Sequence, residues 1–325
     1  MAIIGLGNQS GSDFNTAYTK LKMAFGLGTA LYKDAPIDEV ATIDTVSKDR
    51  LLQVGMAIEG SAYVFKGLTD DTDYGENPSK VVGEIGYTRV DLFAQKWGEQ
   101  WSPVEKQQVI DGMPSLAGKP RRLALNEACK LLQSNPTILF DSKTLFNTQH
   151  IIDPFSDDVA ANQHSNDITA PFTSAGWNTV LQRIMTRKDP GSKASKPFLP
   201  NAMLDPSQIT IWTGDTGVYS TLDKIFDPRS IYAGVAASET LKVYANASMR
   251  YIAEMAVHDT TNSATTFVYV IVRNSAQPAL YMRVPDMPRV EPIERVNPHV
   301  SRVKAWQTFG MKAVNPFAIY RWRTA

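Results

Sequence analysis

The sequence has 325 residues, 33 basic and 33 acidic side chains, four histidines, one cysteine and 43% apolar residues. A chain of this length exceeds the roughly 250–300 residues at which one hydrophobic core stops growing, so we expect two subdomains or an extended shape. The zero net charge excludes a protein that mainly coats nucleic acid, and no apolar run approaches the roughly 18 residues of a membrane span. The start of the chain lacks a secretion signal pattern, so we expect an intracellular protein without disulfides.

The first 55 residues are predicted to form an arm rather than a domain. Apolar residues that include Phe14 and Tyr18 recur at helical spacing, which predicts one amphipathic helix over residues 12–25. Residues 35–48 have mixed character and no strong periodicity. We therefore expect this part of the chain to find its packing on other elements.

Residues 56–100 are predicted to form a long β-hairpin. Segments 62–68 and 80–97 are rich in β-branched and aromatic residues, and the polar segment between them supplies a turn. An isolated two-stranded hairpin is marginal in water, so we expect this hairpin and the arm helix to contact a neighbouring subunit. The candidate interface residues are Asp70, Asp71, Asp73, Tyr74, Tyr87, Arg89, Phe14 and Tyr18.

Two helices are predicted after the hairpin. Ser102, Pro103 and Glu105 form a capping box with proline at the first helical position, which predicts a helix that ends near Gly112. A longer helix is predicted over residues 120–133, with Cys129 on its apolar stripe. This position favours a core role for the cysteine over a nucleophilic one.

The remaining elements are predicted from shorter signals. Residues 144–182 are an acidic, loop-rich stretch whose end forms a helix capped by Ser174 and broken at residues 189–191. The later predictions are a strand over 208–213, a helix over 218–226, a strand over 265–273 and an extended proline-bearing segment over 285–298. The C-terminal segment 300–323 has an ambiguous period, and we interpret it as strand.

Motifs that could support catalysis lack the necessary context. The glycine-rich run 5–11 has no third glycine at the spacing of a dinucleotide loop and no long strand before it. The polar cluster over residues 150–167 matches no metal-ligand spacing, so we interpret it as a solvated acidic loop. Its members are His150, Asp153, Asp157, Asp158, His164 and Asp167. We expect no catalytic site, no cofactor and no metal site.

The order of these elements resembles the major capsid proteins of tailed bacteriophages. The stretch Leu145-Phe146-Asn147-Thr148-Gln149-His150 is similar to the Phe-Asp-x-x-His stretch of Mu-like major head subunits. The ending is also similar, with a proline-rich strand followed by the segments 309–313 and 315–319. The resemblance covers nearly the whole chain in element order and about thirty residues at the level of motifs.

This resemblance implies the α+β capsid fold that tailed phages share with herpesviruses. Its implied divisions are an N-terminal arm (1–55), an E-loop hairpin (56–100), a peripheral domain with a spine helix (101–170), an axial domain (171–275) and a C-terminal strand that returns through the peripheral domain to the axial domain (276–325).

The function implied by the resemblance is that of a non-enzymatic major head protein in the virion. Its subunits would assemble in the host cytoplasm as hexamers and pentamers of an icosahedral shell and enclose DNA without sequence specificity. Portal, separate scaffolding and decoration proteins are the expected partners, and no membrane is involved. The alternatives are another self-assembling protein, such as an encapsulin-like nanocompartment or a tail component, or a hydrolase that uses the His150 region.

Charge segregation predicts electrostatic contacts between subunits. Residues 70–76 and 153–167 contain no lysine or arginine, and no acid follows Glu294. We expect these acidic stretches to pair with basic surface on neighbouring subunits.

Overall fold

The computed structural model describes residues 18–19, 36–44, 52–57, 79–86, 88–98, 100–112, 116, 118–152, 163–186, 208–226, 248–258, 267–273, 278–291, 294–297 and 299–324. The helices are α1 (Ile37–Val40), α2 (Pro103–Gly112), α3 (Lys119–Ser134), α4 (Ser174–Met185), α5 (Thr216–Phe226) and α6 (Ala253–His258). The strands are β1 (Ala41–Asp44), β2 (Leu52–Ala57), β3 (Ser79–Ile85), β4 (Thr88–Gly98), β5 (His150–Ile151), β6 (Gln163–His164), β7 (Asp167–Thr169), β8 (Ile209–Thr213), β9 (Ser248–Tyr251), β10 (Phe267–Val272), β11 (Leu280–Val290), β12 (Glu294–Asn297), β13 (Val300–Ala313) and β14 (Ile319–Arg323). Helices and strands are mixed along the chain, which confirms the predicted α+β class.

The first sheet is built around β13, the strand predicted from the ambiguous C-terminal segment. One edge of β13 pairs with β11 and β12, and the other edge pairs with β4, all in antiparallel orientation. Strand β1 extends the sheet by pairing in parallel with β11. The strand interpretation of the C-terminal segment is therefore confirmed.

The second sheet has the order β7-β14-β10-β8-β9. Every residue of its central strand β10 is buried, because both faces of the sheet are covered. Alternate side chains of a strand point to opposite faces. Accordingly Phe267, Tyr269 and Ile271 belong to a larger core with α3 and the first sheet, whereas Val268, Val270 and Val272 belong to a smaller core with α4 and α5.

Helix α3 supplies the helical side of the larger core. Its fully buried apolar side chains include Ala124, Ala128, Cys129 and Leu132, so Cys129 lies on the buried face, as the sequence predicts. The helix ends at Asn135, which adopts the left-handed conformation typical of a helix C-terminus. The prediction of a long helix over residues 120–133 is confirmed.

The predicted hairpin differs from the structure in its strand pairing. The segment predicted as one strand over 80–97 is divided near Gly86 into β3 and β4. Strand β3 pairs with β2 at residues 52–57, and the predicted partner 62–68 lies outside the described residues. Strand β4 instead joins the first sheet, because Val90 on that strand can then pack against the larger core.

The helix starts test the predicted capping residues. The capping box is confirmed, since Ser102 Oγ accepts a hydrogen bond from Glu105 N at 3.3 Å and Glu105 Oε2 accepts one from Ser102 N at 2.9 Å. The prediction of Ser174 as a cap is wrong. Thr173 has the extended backbone of a capping residue, and its Oγ1 accepts from Gly176 N at 3.2 Å. Helix α4 ends at Met185, before the predicted break at residues 189–191.

The shorter elements of the second half agree with their sequence signals. The strand predicted over 208–213 is β8, the helix predicted over 218–226 is α5 and the strand predicted over 265–273 is β10. In the described part of the chain, none of the helices is long and apolar enough to cross a bilayer.

Candidate assembly surface and buried polar centre

Two of the predicted interface residues lie in the described part of the chain. Tyr18 is partly buried and has helical conformation, and Arg89 lies on β4. The others, Phe14, Asp70, Asp71, Asp73, Tyr74 and Tyr87, lie outside the described residues. Their contact with a neighbouring subunit stays a prediction.

Arg89 has partners within its own subunit. Its Nη2 donates to Glu291 Oε1 at 2.6 Å, and its guanidinium lies 4.4 Å from the ring centroid of Trp306 on β13. Asp91 lies 3.6 Å from Arg89 Nε. The side chain is still half exposed, so Arg89 forms part of a charged face of the first sheet.

The basic C-terminal segment also pairs within the chain. Arg321 donates from Nε and Nη2 to the two carboxylate oxygens of Asp167 at 3.0 and 2.8 Å, and Arg323 lies 3.2 Å from the same group. On the first sheet, Arg302 pairs with Glu294 at 3.1 Å. Strand pairing within the subunit thus brings acids beside these bases. The expectation that acidic stretches pair with basic surface on neighbouring subunits stays a prediction.

The stretch that resembles Mu-like head subunits surrounds a buried polar centre, defined as Asp141, Leu145, His150 and Asn166. His150 is fully buried, with Nδ1 2.7 Å from Asp141 Oδ2 and Nε2 3.0 Å from the Leu145 carbonyl oxygen. A carboxylate and a carbonyl both accept hydrogen bonds, so each ring nitrogen of His150 faces an acceptor.

The surroundings of Asp141 keep its carboxyl group ionised. Burial alone would raise its pKa, but the hydrogen bond and charge of His150 lower it, as do the backbone N–H groups of Lys143 and Ile151. Those N–H groups lie 3.1 and 3.2 Å from the Asp141 oxygens. The net result is a pKa below the ordinary value, as for a carboxylate with several donors.

Asn166 joins the polar centre to the C-terminal strand. Its Nδ2 lies within hydrogen-bond distance of three carbonyl oxygens, those of Leu145 (2.7 Å), Pro316 (2.8 Å) and Ile319 (3.2 Å). Its Oδ1 accepts from Asn147 N at 2.9 Å. One buried amide thus holds the loop after α3 against the turn between β13 and β14.

The interpretation of residues 150–167 as a solvated acidic loop is wrong for its described members. His164 is buried with Nε2 3.1 Å from Tyr320 Oη, and Asp167 is nearly buried in its arginine pairs. Burial of such groups is tolerated because each has a hydrogen-bond or ionic partner. Asp153, Asp157 and Asp158 lie outside the described residues.

The polar centre has the geometry of a structural joint. Both ring nitrogens of His150 face acceptors, so neither is available to take a proton from a nucleophile. Within the described ranges, no three histidine, cysteine or acidic side chains form a group that could hold a metal ion.

Burial raises the pKa of Cys129 to about 12, aided by the charge of Glu254, so its thiol stays protonated in the core.

The sequence did not indicate Asp141 or Asn166 as important residues. Asp141 and His150 are nine residues apart with no regular period between them, and two of the three carbonyls near Asn166 Nδ2 lie 150 and 153 residues away. Of the buried polar centre, the sequence indicated only the part that lies in residues 145–150, the stretch that resembles Mu-like head subunits.

Comparison with known proteins gives matches among solved structures. No family model matches the sequence, and no curated protein matches it. The capsid of cyanophage Pam1 is 11% identical, with a TM-score of 0.49, and the likeness covers 88% of this chain and 89% of that one. The capsid of cyanophage P-SCSP1u is 12% identical with a TM-score of 0.46, covering 90% and 89%. A virus-like particle from Pyrococcus furiosus is 12% identical with a TM-score of 0.40, covering 95% and 99%.

Proposed function

We propose that this chain is a major capsid protein that assembles into the icosahedral shell around phage genomic DNA. The observation that carries the proposal is the path of the C-terminal segment. Strand β13 forms the centre of the first sheet, next to α3, and residues 314–318 then lead directly into β14 of the second sheet. This path agrees with the C-terminal strand that the resemblance implies, which returns from a peripheral to an axial domain.

The paired strands β2 and β3 support the same proposal. They form a two-stranded sheet that contacts the larger core through Ile85 at the end of β3, and two paired strands are marginal by themselves in water. In a shell, the hairpin that includes them would gain its stability from burial on an adjacent subunit. We propose that residues 70–79 belong to this contact.

The polar centre argues against the hydrolase alternative. A hydrolytic histidine needs a free ring nitrogen within reach of a nucleophile or water, whereas His150 has both nitrogens on buried acceptors. The same contacts of His150 suit a protein with a structural role. We therefore propose a structural, non-enzymatic role.

We further propose the partners and divisions that belong to a tailed-phage head. These are hexamers and pentamers of this chain, a portal, separate scaffolding and decoration proteins, and DNA on the inner face without sequence specificity. Mu-like major head subunits are the proposed nearest family, on the basis of residues 145–150. The two cores support a division into peripheral and axial parts, since α3 belongs to the larger core and α4 and α5 to the smaller one.

The size of the purified chain tests the proposal. Size-exclusion chromatography with light scattering should give particles far larger than a subunit of 35.9 kDa, or rings of six or five subunits. A monomer or small oligomer at all concentrations would contradict a shell protein. If particles form, DNA protected from nuclease in particles from infected cells supports a head, whereas particles with protein cargo alone would favour a nanocompartment.

A further inference from the structure

Residues 36–44, here called the strap, touch both sheets. Its helix α1 places Ile37 and Val40, both fully buried, in the larger core, and its strand β1 extends the first sheet beside β11. Ile37 and Val40 are three positions apart and share a face of the helix, so Glu39 lies on another face. The strap is therefore paired with the first sheet through β1, while the Glu39 side chain can reach the second sheet.

Glu39 receives hydrogen bonds from the second sheet. Its Oε2 accepts from Trp212 Nε1 at 2.9 Å, and its Oε1 accepts from Arg250 Nε at 2.6 Å and Arg273 Nη2 at 3.0 Å. These donors lie on β8, on β9 and directly after β10, which are three neighbouring strands. Only 7% of the Glu39 side chain is exposed, so a carboxylate is nearly buried against two arginines and an indole.

The donors are held in place by their own strands. Arg273 Nε donates to Thr210 Oγ1 at 2.6 Å, and its Nη2 also lies 2.8 Å from Ser248 Oγ. These bonds fix the plane of the guanidinium, and a fixed fork of donors favours a carboxylate in one position. The second sheet therefore presents a preformed set of hydrogen-bond donors to the Glu39 carboxylate.

We infer that Glu39 clamps the strap to the second sheet, so that residues 36–44 connect the two sheets of the subunit. A nearly buried carboxylate is stable only with its donors, and donors without the carboxylate leave two arginine charges side by side. Loss of the clamp should let residues 36–44 open as a unit. This inference concerns a single subunit and does not depend on the proposed shell function.

Hydrogen exchange of the full chain, measured by mass spectrometry, tests the clamp. Glu39→Gln keeps the side-chain shape but removes the charge and turns an amide N–H2 group toward the donors. Hydrogen bonds to charged groups are strong enough that their loss should speed amide exchange over residues 36–44 by at least about tenfold, with β13 unchanged. The matched control is Glu127→Gln, whose ion pair with Lys130 spans 3.9 Å. It should leave exchange over 36–44 at the wild-type rate.

A substitution of a donor to Glu39 distinguishes loss of the clamp from a local effect of changing Glu39 itself. Arg250 is 43% exposed, so Arg250→Gln should fold, and it should also speed exchange over residues 36–44 although it lies on β9. The combined variant should show less than the product of the two single effects, because both remove the same contact. Wild-type exchange over 36–44 in both single variants, or effects that multiply independently, would overturn the inference. If Glu39→Gln fails to fold, Arg250→Gln alone decides.

Discussion

Replacement of His150 by alanine should strongly destabilise the folded subunit. The ring is fully buried and lies between the Asp141 carboxylate and the Leu145 carbonyl. Alanine would remove the histidine from both acceptors, although the Leu145 carbonyl keeps Asn166 Nδ2 at 2.7 Å. It would also open a hole beside Phe317, whose ring centroid lies 6.2 Å from that of His150. The loss therefore combines a buried carboxylate that has lost its histidine partner with a cavity.

The magnitude follows from the contacts that remain. Removal of one partner from a buried ion pair typically costs about 3–5 kcal/mol. Two backbone N–H groups, from Lys143 and Ile151, still donate to Asp141, so the carboxylate keeps two hydrogen-bond donors. We therefore expect a loss near the lower end, about 3 kcal/mol, which is at the upper end of the usual effect of single substitutions.

Urea unfolding of unassembled subunits measures this loss. The matched control is His299→Ala, the same change at an exposed position, which should stay within about 0.5 kcal/mol of wild type. The double variant Asp141→Asn/His150→Ala should be more stable than the sum of the single losses predicts, because the unpaired charge is gone. A loss below about 1 kcal/mol for His150→Ala, or strict additivity, would refute the buried-pair reasoning.

Three further predictions concern acidity, the hairpin and salt. Because the pKa of Asp141 is lowered in the folded state, its contribution to stability is complete above the ordinary aspartate pKa of about 3.9 and is lost as pH falls below it. In Asp141→Asn, the free energy of unfolding measured with urea should depend less on pH in that acid range. An unchanged slope would contradict this. Deletion of residues 70–79 should leave a folded monomer that forms no shells, as measured by light scattering. Particles of normal size from this variant would contradict the proposed contact of the hairpin with a neighbouring subunit. Assembly should weaken between 0.1 and 1 M salt, where the Debye length falls from about 10 to about 3 Å. Charge reversal of Asp70, Asp71 and Asp73 should weaken it as well, since a solvent-screened ion pair typically contributes about 0.2–1 kcal/mol. An assembly rate unchanged by both would mean that the contacts are apolar.

Local signals in the sequence predicted local structure well. The capping box at Ser102 and Glu105 and the apolar stripe of α3 depend on residues three and four apart, so the sequence itself contains both partners. The strand interpretation of the C-terminal segment succeeded for a similar reason, since its β-branched and aromatic residues suit a pleated, buried surface.

Contacts between distant residues could not be predicted in this way. Strand β4 has the same alternation whether it pairs with a hairpin neighbour or with β13, more than 200 residues later. Glu39 finds its donors 173 to 234 residues away, and no sequence period connects them. The polar cluster over 150–167 was misjudged because burial depends on partners, such as Arg321 and Tyr320, that folding brings to it.

Negative-stain electron microscopy of the purified full chain tests the central claim most directly. We predict closed shells of uniform size, or rings with six or five subunits. Dispersed small particles of one or a few subunits, at concentrations and salt conditions that favour assembly, would contradict the proposal that this chain forms a capsid.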